Sequence, residues 1–269
     1  MKLVRSVMWL SACWIAVLLA GCANQPGGSA NTGARGEIMT ESDEPEGRRR
    51  ARIRLELAAN YFQQGQTNVA LDELKQALAA DPTFADAHNL RGLVYMRLND
   101  NALAEDSFRR AIALNPRDGD VLHNYGWLLC QQAKYSESSA MFGRAIATPG
   151  YGGQPKTLMT QGICQMRAGQ SAEAERSLLQ SYELDAGNPL TGYNLANLLF
   201  QRGDLRRSQF YIRRLNNSNL ANAETLWLGV KVERALGDRE AMLQLAGQLT
   251  RRFGASREAA AYDKGAFNE

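Results

Sequence analysis

Residues whose types could support chemistry are concentrated near the middle of the chain. The stretch from 121 to 165 contains His123, Cys130 and Cys164. Imidazoles and thiols bind metals or carry out redox chemistry when their spacing brings them together. The chain has no CxxC motif, however, and neither His123 nor the other histidine, His88, brackets the cysteines with ligand spacing. The sequence therefore predicts no metal, no redox centre and no other cofactor.

The glycine-rich segment that follows, together with the remaining polar residues, lacks the context of a catalytic site. Residues 150–155 (GYGGQP) follow no predicted strand and precede no GKS or GKT triplet, so they predict a turn rather than a phosphate-binding loop. No GxSxG motif occurs. Adjacent carboxylates such as Glu105 and Asp106 fall on predicted helices, where they are solvated charges. We therefore expect a binding protein rather than an enzyme, with no small-molecule substrate.

The elements that position these residues follow a repeat of 34 residues. Small residues recur with spacings of 34, 34, 36, 34 and 33, at Ala58, Gly92, Gly126, Gly162, Ala196 and Gly229. Twelve residues after the first five come further small residues, at Ala70, Ala104, Ser138, Ala174 and Ser208. Turn-compatible residues follow seven after the first small residue, at Gly65, Asn99, Ala133, Gly169 and Gly203. Small residues at a helix crossing let two backbones approach closely, so each unit is predicted to be a helical hairpin. The pattern resembles the tetratricopeptide repeat.

The fold class that this pattern predicts is all-α, a right-handed superhelical solenoid of about six repeats in one quasi-linear domain over 51–254. The predicted repeats are 51–84, 85–118, 119–152, 155–188, 189–221 and 222–254. A single hairpin leaves an apolar face uncovered, so consecutive hairpins must stack. Residues 255–269 are expected to form a cap or a frayed tail, because the ends of a solenoid must be polar.

The N-terminus predicts export and lipidation. Two basic residues precede an apolar run at 7–20, which is too short for a permanent bilayer span of about 20 residues. Residues 19–22 (LAGC) resemble the lipobox of bacterial lipoproteins, so we expect 1–21 to be a signal peptide and Cys22 to carry the lipid. The alternative is an ordinary signal peptide with a cysteine nearby. Ala23, rather than aspartate, after the cysteine favours the outer membrane by resemblance to lipoprotein sorting.

Residues 22–47 predict a flexible tether. This segment is rich in Gly, Asn, Ser, Pro and Glu, and it cannot bury enough apolar surface to offset the entropy lost on ordering. A flexible chain of this length has a root-mean-square reach of roughly 25–30 Å. Removal of residues 1–21, which hold two basic residues and no acidic one, lowers the formal charge from +3 to +1. Nothing in that balance indicates nucleic acid, and the arginines at 48–50 are interpreted as the solvated start of a helix.

Two cysteines remain once the signal and the lipidated cysteine are set aside. Cys130 and Cys164 are an even pair, and export would place them in an oxidising compartment. Both lie near the middle of the first helix of adjacent predicted repeats. Neighbouring helices that pack at small residues can bring two Cα atoms within the roughly 4.4–6.8 Å that a disulfide requires. We predict a Cys130–Cys164 disulfide, with two buried free thiols as the alternative.

The predicted binding surface is the concave face. In tetratricopeptide-repeat proteins this face is lined by positions 2, 5, 9, 12 and 13 of each first helix. These positions correspond to Leu55, Ala59, Phe62 and Gln63 in the first repeat, Asn89, Leu93, Met96 and Arg97 in the second, His123, Trp127 and Gln131 in the third, Met159, Ile163, Met166 and Arg167 in the fourth, and Tyr193, Asn197 and Phe200 in the fifth. Exposed Leu, Phe, Met and Trp side chains would form a groove for an apolar peptide or helix. The alternative is that several of them, Trp127 especially, belong to the core.

The junction of the third and fourth repeats resembles a narrower family, the type IV pilus biogenesis/stability lipoproteins (PilW/PilF), which are pilotins of the pilus secretin. The segments that carry the resemblance are 124–130 (NYGWLLC), 135–138 (YSES), 149–151 (PGY), 162–164 (GIC) and 222–229 (NAETLWLG). The resemblance extends over nearly the whole mature chain. It departs from the usual repeat at Ser138 and Ser208, which stand where alanine is common.

This resemblance implies a monomeric outer-membrane lipoprotein that is anchored by its N-terminal lipid and faces the periplasm. Its concave groove would hold the secretin subunit and promote outer-membrane localisation and multimerisation of the secretin. Two other hypotheses remain open: a periplasmic scaffold for another envelope assembly process such as peptidoglycan remodelling, and an accessory activator of an envelope hydrolase.

Overall fold

The computed structural model describes residues 44–267, and this part of the chain folds into helices and short turns. The first helices of successive hairpins are α1 (Glu46–Gln63), α3 (Ala85–Arg97), α5 (Gly119–Gln131), α7 (Gln154–Arg167), α9 (Pro189–Gln201) and α11 (Ala223–Leu236). The second helices are α2 (Thr67–Ala80), α4 (Asn101–Leu114), α6 (Tyr135–Ile146), α8 (Ser171–Leu184), α10 (Leu205–Asn216) and α12 (Arg239–Phe253), and they are followed by α13 (Arg257–Asp263). Each first helix packs against the second helix that follows it. The all-helical superhelix of tetratricopeptide type is thereby confirmed.

The predicted signal peptide, the lipidation site Cys22 and nearly all of the predicted tether lie outside the described residues. Helix α1 begins at Glu46, slightly before the predicted end of the tether at residue 47. A tertiary contact explains the early start, because the Arg48 guanidinium forms an ion pair with Asp81 and lies 4.6 Å from the centre of the Phe84 ring. The start of α1 is therefore held against the turn between the first two hairpins.

The turn within each hairpin depends on one residue with a left-handed backbone. Five of these residues are the turn positions expected from the sequence, and their φ values are +79° at Gly65, +59° at Asn99, +57° at Ala133, +74° at Gly169 and +78° at Gly203. Glycine adopts this conformation at no steric cost, and asparagine tolerates it. Ala133 is the exception, since its Cβ is strained there. The backbone hydrogen bonds on either side compensate, as Lys134 N donates to Leu129 O at 2.9 Å.

Close contact at the small residues holds the two helices of a hairpin together. A Cβ atom on Gly92 would lie 2.6 Å from the buried ring of Phe108, and one on Gly162 would lie 2.6 Å from Cγ of Leu178. The serines that replace alanine in repeats three and five are also buried, and their hydroxyls are satisfied. Ser138 Oγ donates to Gly126 O at 2.8 Å, and Ser208 Oγ donates to Ala196 O at 2.8 Å. Both serines thus bond to the small residue twelve positions earlier, so the helix crossing is preserved.

Hydrophobic clusters join each hairpin to the next one. One cluster combines α1, α2 and α3 around Leu74, and another combines α9, α10 and α11 around Ile212. At the C-terminal end, α13 occupies the place where a further first helix would pack, with Ala259 buried against α11 and α12. The described hairpins therefore share one continuous core, which α13 covers at its end.

The third and fourth hairpins are also joined covalently. Cys130 of α5 and Cys164 of α7 form a disulfide with a Cα–Cα distance of 5.9 Å. Both residues are buried beside Phe142, and Ser138 Oγ lies 3.4 Å from Cys164 Sγ. The bond links neighbouring first helices across the irregular segment 147–153.

We expect this disulfide to stabilise the solenoid. Closing a loop of 34 residues restricts the unfolded chain by about 3–4 kcal/mol on the chain-entropy model. Urea unfolding of the wild-type protein with and without reductant should show a loss of that size. A Cys130→Ala/Cys164→Ala variant should be less stable and should not respond to reductant. Two free thiols in protein purified without reductant from an oxidising compartment would contradict the bond.

Candidate partner-binding groove

The first helices lie side by side in chain order and form one continuous face. Each of them contacts the first helix of the next repeat. Twelve of the predicted groove residues are partly exposed, and seven of these are Leu55, Phe62, Asn89, Leu93, Met96, Trp127 and Ile163. Ala59, Met166, Tyr193, Asn197 and Phe200 are also partly exposed, and Gln63, Arg97, Gln131 and Arg167 are exposed. Large apolar side chains therefore remain accessible from the first repeat to the fifth.

The exposure expected of His123 and Met159 is wrong. His123 is only 5% exposed, and its Nδ1 atom lies 2.9 Å from Oγ1 of Thr157 on α7. Met159 is 9% exposed and packs in the core with Leu178 and Leu195. Both occupy position 5 of their repeats, where the neighbouring helices decide whether a side chain is covered. His88 is buried as well, with Nε2 at 3.0 Å from Pro82 O, so neither histidine is available to a partner.

Trp127 belongs partly to the core and partly to the groove. Its indole packs against the cluster of Cys130, Phe142 and Cys164 but keeps some exposure. The guanidinium of Arg167, from the next repeat, lies 4.9 Å from the ring centre. Trp127 therefore packs in the core of the third repeat and also keeps part of its ring accessible in the groove, so it is both a core residue and a groove residue.

Cations stacked on aromatic rings recur along the groove. Arg97 of the second repeat lies 4.1 Å from the centre of the Phe62 ring of the first repeat. Lys231 of the sixth repeat lies 5.8 Å from the Phe200 ring and 5.6 Å from the Trp227 ring. Together with the stack of Arg167 on Trp127, these contacts join repeats one to two, three to four and five to six. A cation over an aromatic face gains about 0.5–1 kcal/mol at an exposed site.

Sequence reasoning missed the contribution of the sixth repeat. Trp227 and Lys231 stand at positions 5 and 9 when α11 is counted from Ala223, but the weak repeat signature there concealed them. A cavity of about 370 Å³ opens beside them, and its walls include Tyr193, Glu224, Trp227, Lys231, Arg257 and Glu258. Burial lowers the pKa of Lys231 and, together with Glu224, raises that of Tyr193.

The segment after α13 covers this end of the groove. The Phe267 ring lies 5.3 Å from the ring of Trp227, and the Arg234 guanidinium lies 3.9 Å from the centre of the Phe267 ring. An ion pair from Arg257 to Glu224 of α11 at 3.1 Å holds the start of α13 beside the cavity, and Arg257 also pairs with its neighbour Glu258 at 2.6 Å. The open part of the groove therefore extends mainly over the first five repeats.

Between residues 44 and 267, no three His, Cys, Asp or Glu side chains cluster in a way that could hold a metal ion. No helix in that range combines the length and the hydropathy needed to cross a membrane.

Family models agree with the repeat assignment. Tetratricopeptide-repeat models match residues 60–99, 85–118 and 107–138, which cover most of the first repeat, the second repeat and part of the third. The fold and the groove define this chain as a tetratricopeptide-repeat protein.

The chain is homologous to the type IV pilus biogenesis factors PilF and PilW. It is 26% identical to the type IV pilus assembly protein PilF of Pseudomonas aeruginosa over 244 residues. The aligned region covers 91% of this chain and 93% of that protein. The solved structure of Pseudomonas aeruginosa PilF matches with a TM-score of 0.72 and 27% identity, over 82% of this chain and all of that one. The structure of PilW, a widely conserved type IV pilus biogenesis factor, matches with a TM-score of 0.73 and 29% identity, over 79% and 97% of the two chains.

The burial of His123 predicts a pH-dependent stability. Burial, and to a smaller extent the charge of Lys156, lower the pKa of His123 to about 4. The pKa of the same side chain in the unfolded chain is about 6.5. At pH values between the folded and the unfolded pKa, the unfolded chain binds a proton that the folded chain does not, so the free energy of unfolding falls as the pH falls. From pH 7.5 to pH 5 the free energy of unfolding should fall by about 2 kcal/mol because of His123, at about 1.36 kcal/mol per pKa unit.

A His123→Asn variant should lack this part of the pH dependence, which urea unfolding at several pH values measures. His88, whose pKa is also lowered by burial, is present in both proteins and cancels from the difference. Identical pH slopes for the two proteins would contradict the assignment.

Proposed function

We propose that this protein is an outer-membrane lipoprotein that binds the secretin subunit of the type IV pilus and promotes its outer-membrane localisation and multimerisation. The observation that carries the proposal is the likeness to PilF and PilW, which extends over almost the full length of both relatives. This likeness supports a role in pilus biogenesis. The accessible apolar residues of the groove suggest how a protein partner would be held.

The proposed contact surface is strongest in the first four repeats. Phe62 lies on α1, Leu93 and Met96 lie on α3, and Ile163 lies on α7, and all four are partly exposed. Leu93 and Met96 pack at the edge of the second core cluster, so their positions are set before a partner binds. Fully burying a side chain of this kind contributes about 1.5–3 kcal/mol. Because these side chains are already partly buried, each contributes only part of that amount, and the contacts together must also offset the entropy lost on association.

The role proposed for the protein requires no chemistry. A chaperone for a membrane-inserting subunit must cover apolar surface until the subunit assembles, and it must keep its groove in one shape. The Cys130–Cys164 bond and the cation–aromatic stacks hold neighbouring first helices together along this surface. A pre-organised groove loses less entropy on binding, which favours affinity.

Membrane residence is proposed to come from lipid at Cys22. One acyl chain gives only marginal membrane binding, whereas several chains anchor a protein stably. A multiply acylated N-terminus followed by a tether would let the groove work just off the membrane surface. A periplasmic scaffold without a secretin partner is the competing function, and the capture experiment below distinguishes the two.

We expect a Phe62→Glu/Leu93→Glu variant to lose secretin binding, because two carboxylates would replace apolar contacts in the groove. Capture of the secretin from detergent-extracted membranes, and the amount of secretin multimer in the outer membrane, should both fall at least tenfold.

The matched control is Leu184→Glu/Phe210→Glu, which places two carboxylates on the exposed second helices α8 and α10, where the original side chains are 57% and 62% exposed. This control should assemble secretin normally. Circular dichroism should give the same helical content for both variants, and Leu93→Ala supplies a milder change at the same place. Unchanged secretin assembly in the groove variant would refute the groove assignment, and capture of a cell-wall enzyme instead would favour the competing function.

The lipid proposal predicts that Cys22→Ala releases the protein from membranes. Fractionation should then find it in the soluble periplasmic fraction, while the wild-type protein sediments with the outer membrane. A Cys13→Ala variant is the control, because that residue lies within the predicted signal peptide and should not affect anchoring. Retention of the Cys22 variant in the outer membrane would contradict the lipobox interpretation.

A further inference from the structure

We infer that the groove selects a segment whose apolar side chains are flanked by carboxylates, and that Arg97 and Arg167 recognise those carboxylates. The inference rests on the groove of the proposed function and adds the chemistry of the segment that the groove takes. The inference depends on the contacts that hold these two arginines in place and on the absence of a carboxylate partner for either of them between residues 44 and 267.

Both arginines are ordered by contacts with the preceding repeat. Arg97 stacks on the Phe62 ring at 4.1 Å, and its Nη1 atom donates a hydrogen bond to Phe62 O at 2.8 Å. Arg167 stacks on the ring of Trp127 at 4.9 Å. A guanidinium that lies flat on an aromatic ring keeps its N–H groups at the edge available to a planar carboxylate. Because the side chains are already fixed, binding costs little rotamer entropy.

Neither arginine has a carboxylate partner within residues 44–267, although both are exposed. Some arginines on the second helices do have such a partner, whereas others in this range, such as Arg110 and Arg206, have none. Arg109 pairs with Glu105, Arg207 with Glu175 and Arg213 with Glu233, each at 2.6 Å. The two groove cations thus present unneutralised charge beside apolar surface, and an acidic ligand complements this arrangement.

The helix macrodipole accounts for only part of this arrangement. Cations in the last turn of a helix gain about 0.3–1 kcal/mol from the partial negative charge there, and both arginines occupy last turns. The dipole does not explain why each side chain crosses to the ring of the preceding repeat. The first turns at the opposite edge carry Asp86 and Asp120 in the second and third repeats and Lys156 in the fourth. In the second repeat, therefore, the charges at the two edges favour a ligand whose acidic side lies towards Arg97.

The same local unit occurs twice, two repeats apart. Leu93 and Met96 precede Arg97 on α3, and Ile163 and Met166 precede Arg167 on α7. In each unit one partly exposed apolar side chain lies one turn before a stacked arginine, and a second belongs to the residue directly before that arginine. A segment with two clusters of apolar residues, each followed by Glu or Asp, matches the pair of units.

Three synthetic helical peptides test the inference on the full-length protein in detergent. They share one stripe of Leu and Phe residues, and the positions along one side of the stripe are all Glu, all Gln or all Lys. Fluorescence anisotropy measures the Kd of each peptide. An exposed ion pair contributes about 0.2–1 kcal/mol, or about 1.4–5-fold in affinity. We expect the Glu peptide to bind about tenfold more tightly than the Lys peptide at low salt, with a smaller ratio at high salt.

The Arg97→Gln/Arg167→Gln variant should bind the Glu and Lys peptides with nearly equal affinity. The matched control Arg110→Gln/Arg206→Gln removes two exposed arginines from the second helices α4 and α10 and should keep the tenfold preference. Equal melting temperatures of the two variants would exclude a purely structural role of Arg97 and Arg167.

The inference is overturned if no peptide binds, if the Lys peptide binds as tightly as the Glu peptide, or if the preference survives in Arg97→Gln/Arg167→Gln. Capture of the secretin is scored separately. A charge preference without secretin capture would support the inference while the proposed function fails. Secretin capture without any charge preference would leave the proposed function standing and overturn the inference.

Discussion

Close packing at the small residues of each hairpin is the contact on which the rest of this protein depends. At Gly126 a Cβ atom would lie 2.9 Å from the Phe142 ring, and at Gly92 and Gly162 the nearest atom would be 2.6 Å away. When two helices approach so closely, the large side chains around the crossing can reach the next hairpin, and a continuous core forms. The second helices and turns thereby fix the spacing of the first helices, whose free sides make the groove.

The groove combines rigidity with accessible apolar surface. A solenoid is held only by contacts between neighbouring repeats, so any loose junction would change the shape of the groove. The junction between the third and fourth repeats contains an irregular segment, and there the protein has a disulfide, a buried His123–Thr157 contact and the stack of Arg167 on Trp127. These three contacts lie where the repeat spacing is 36 residues rather than 34. They hold the third and fourth hairpins together at a junction that the longer connection would otherwise loosen.

Local patterns predicted the hairpins well and the groove only in part. The residues with positive φ in the first five hairpins are the turn positions expected from the repeat. Four of them are glycine or asparagine, which adopt this conformation readily, whereas Ala133 was expected from the repeat period alone. Leu93, Met96 and Ile163 are partly exposed as the repeat positions predict. His123 and Met159 stand at an equivalent position to Leu55 and Asn89, yet they are covered by neighbouring helices. Burial at this position is decided by residues about one repeat away, and no local pattern records them.

The sequence by itself determined the helical hairpins and their number, and it placed Cys130 and Cys164 on neighbouring first helices, because the period, the turn residues and the small residues recur locally along the chain. Only the tertiary structure decided which first-helix side chains remain open and which are covered. It also decided that Arg97 lies on Phe62, that Arg167 lies on Trp127 and that Phe267 closes the sixth repeat. These contacts join residues 35, 40 and 33 positions apart, and their geometry follows from the angle between stacked hairpins, which a repeat period does not specify.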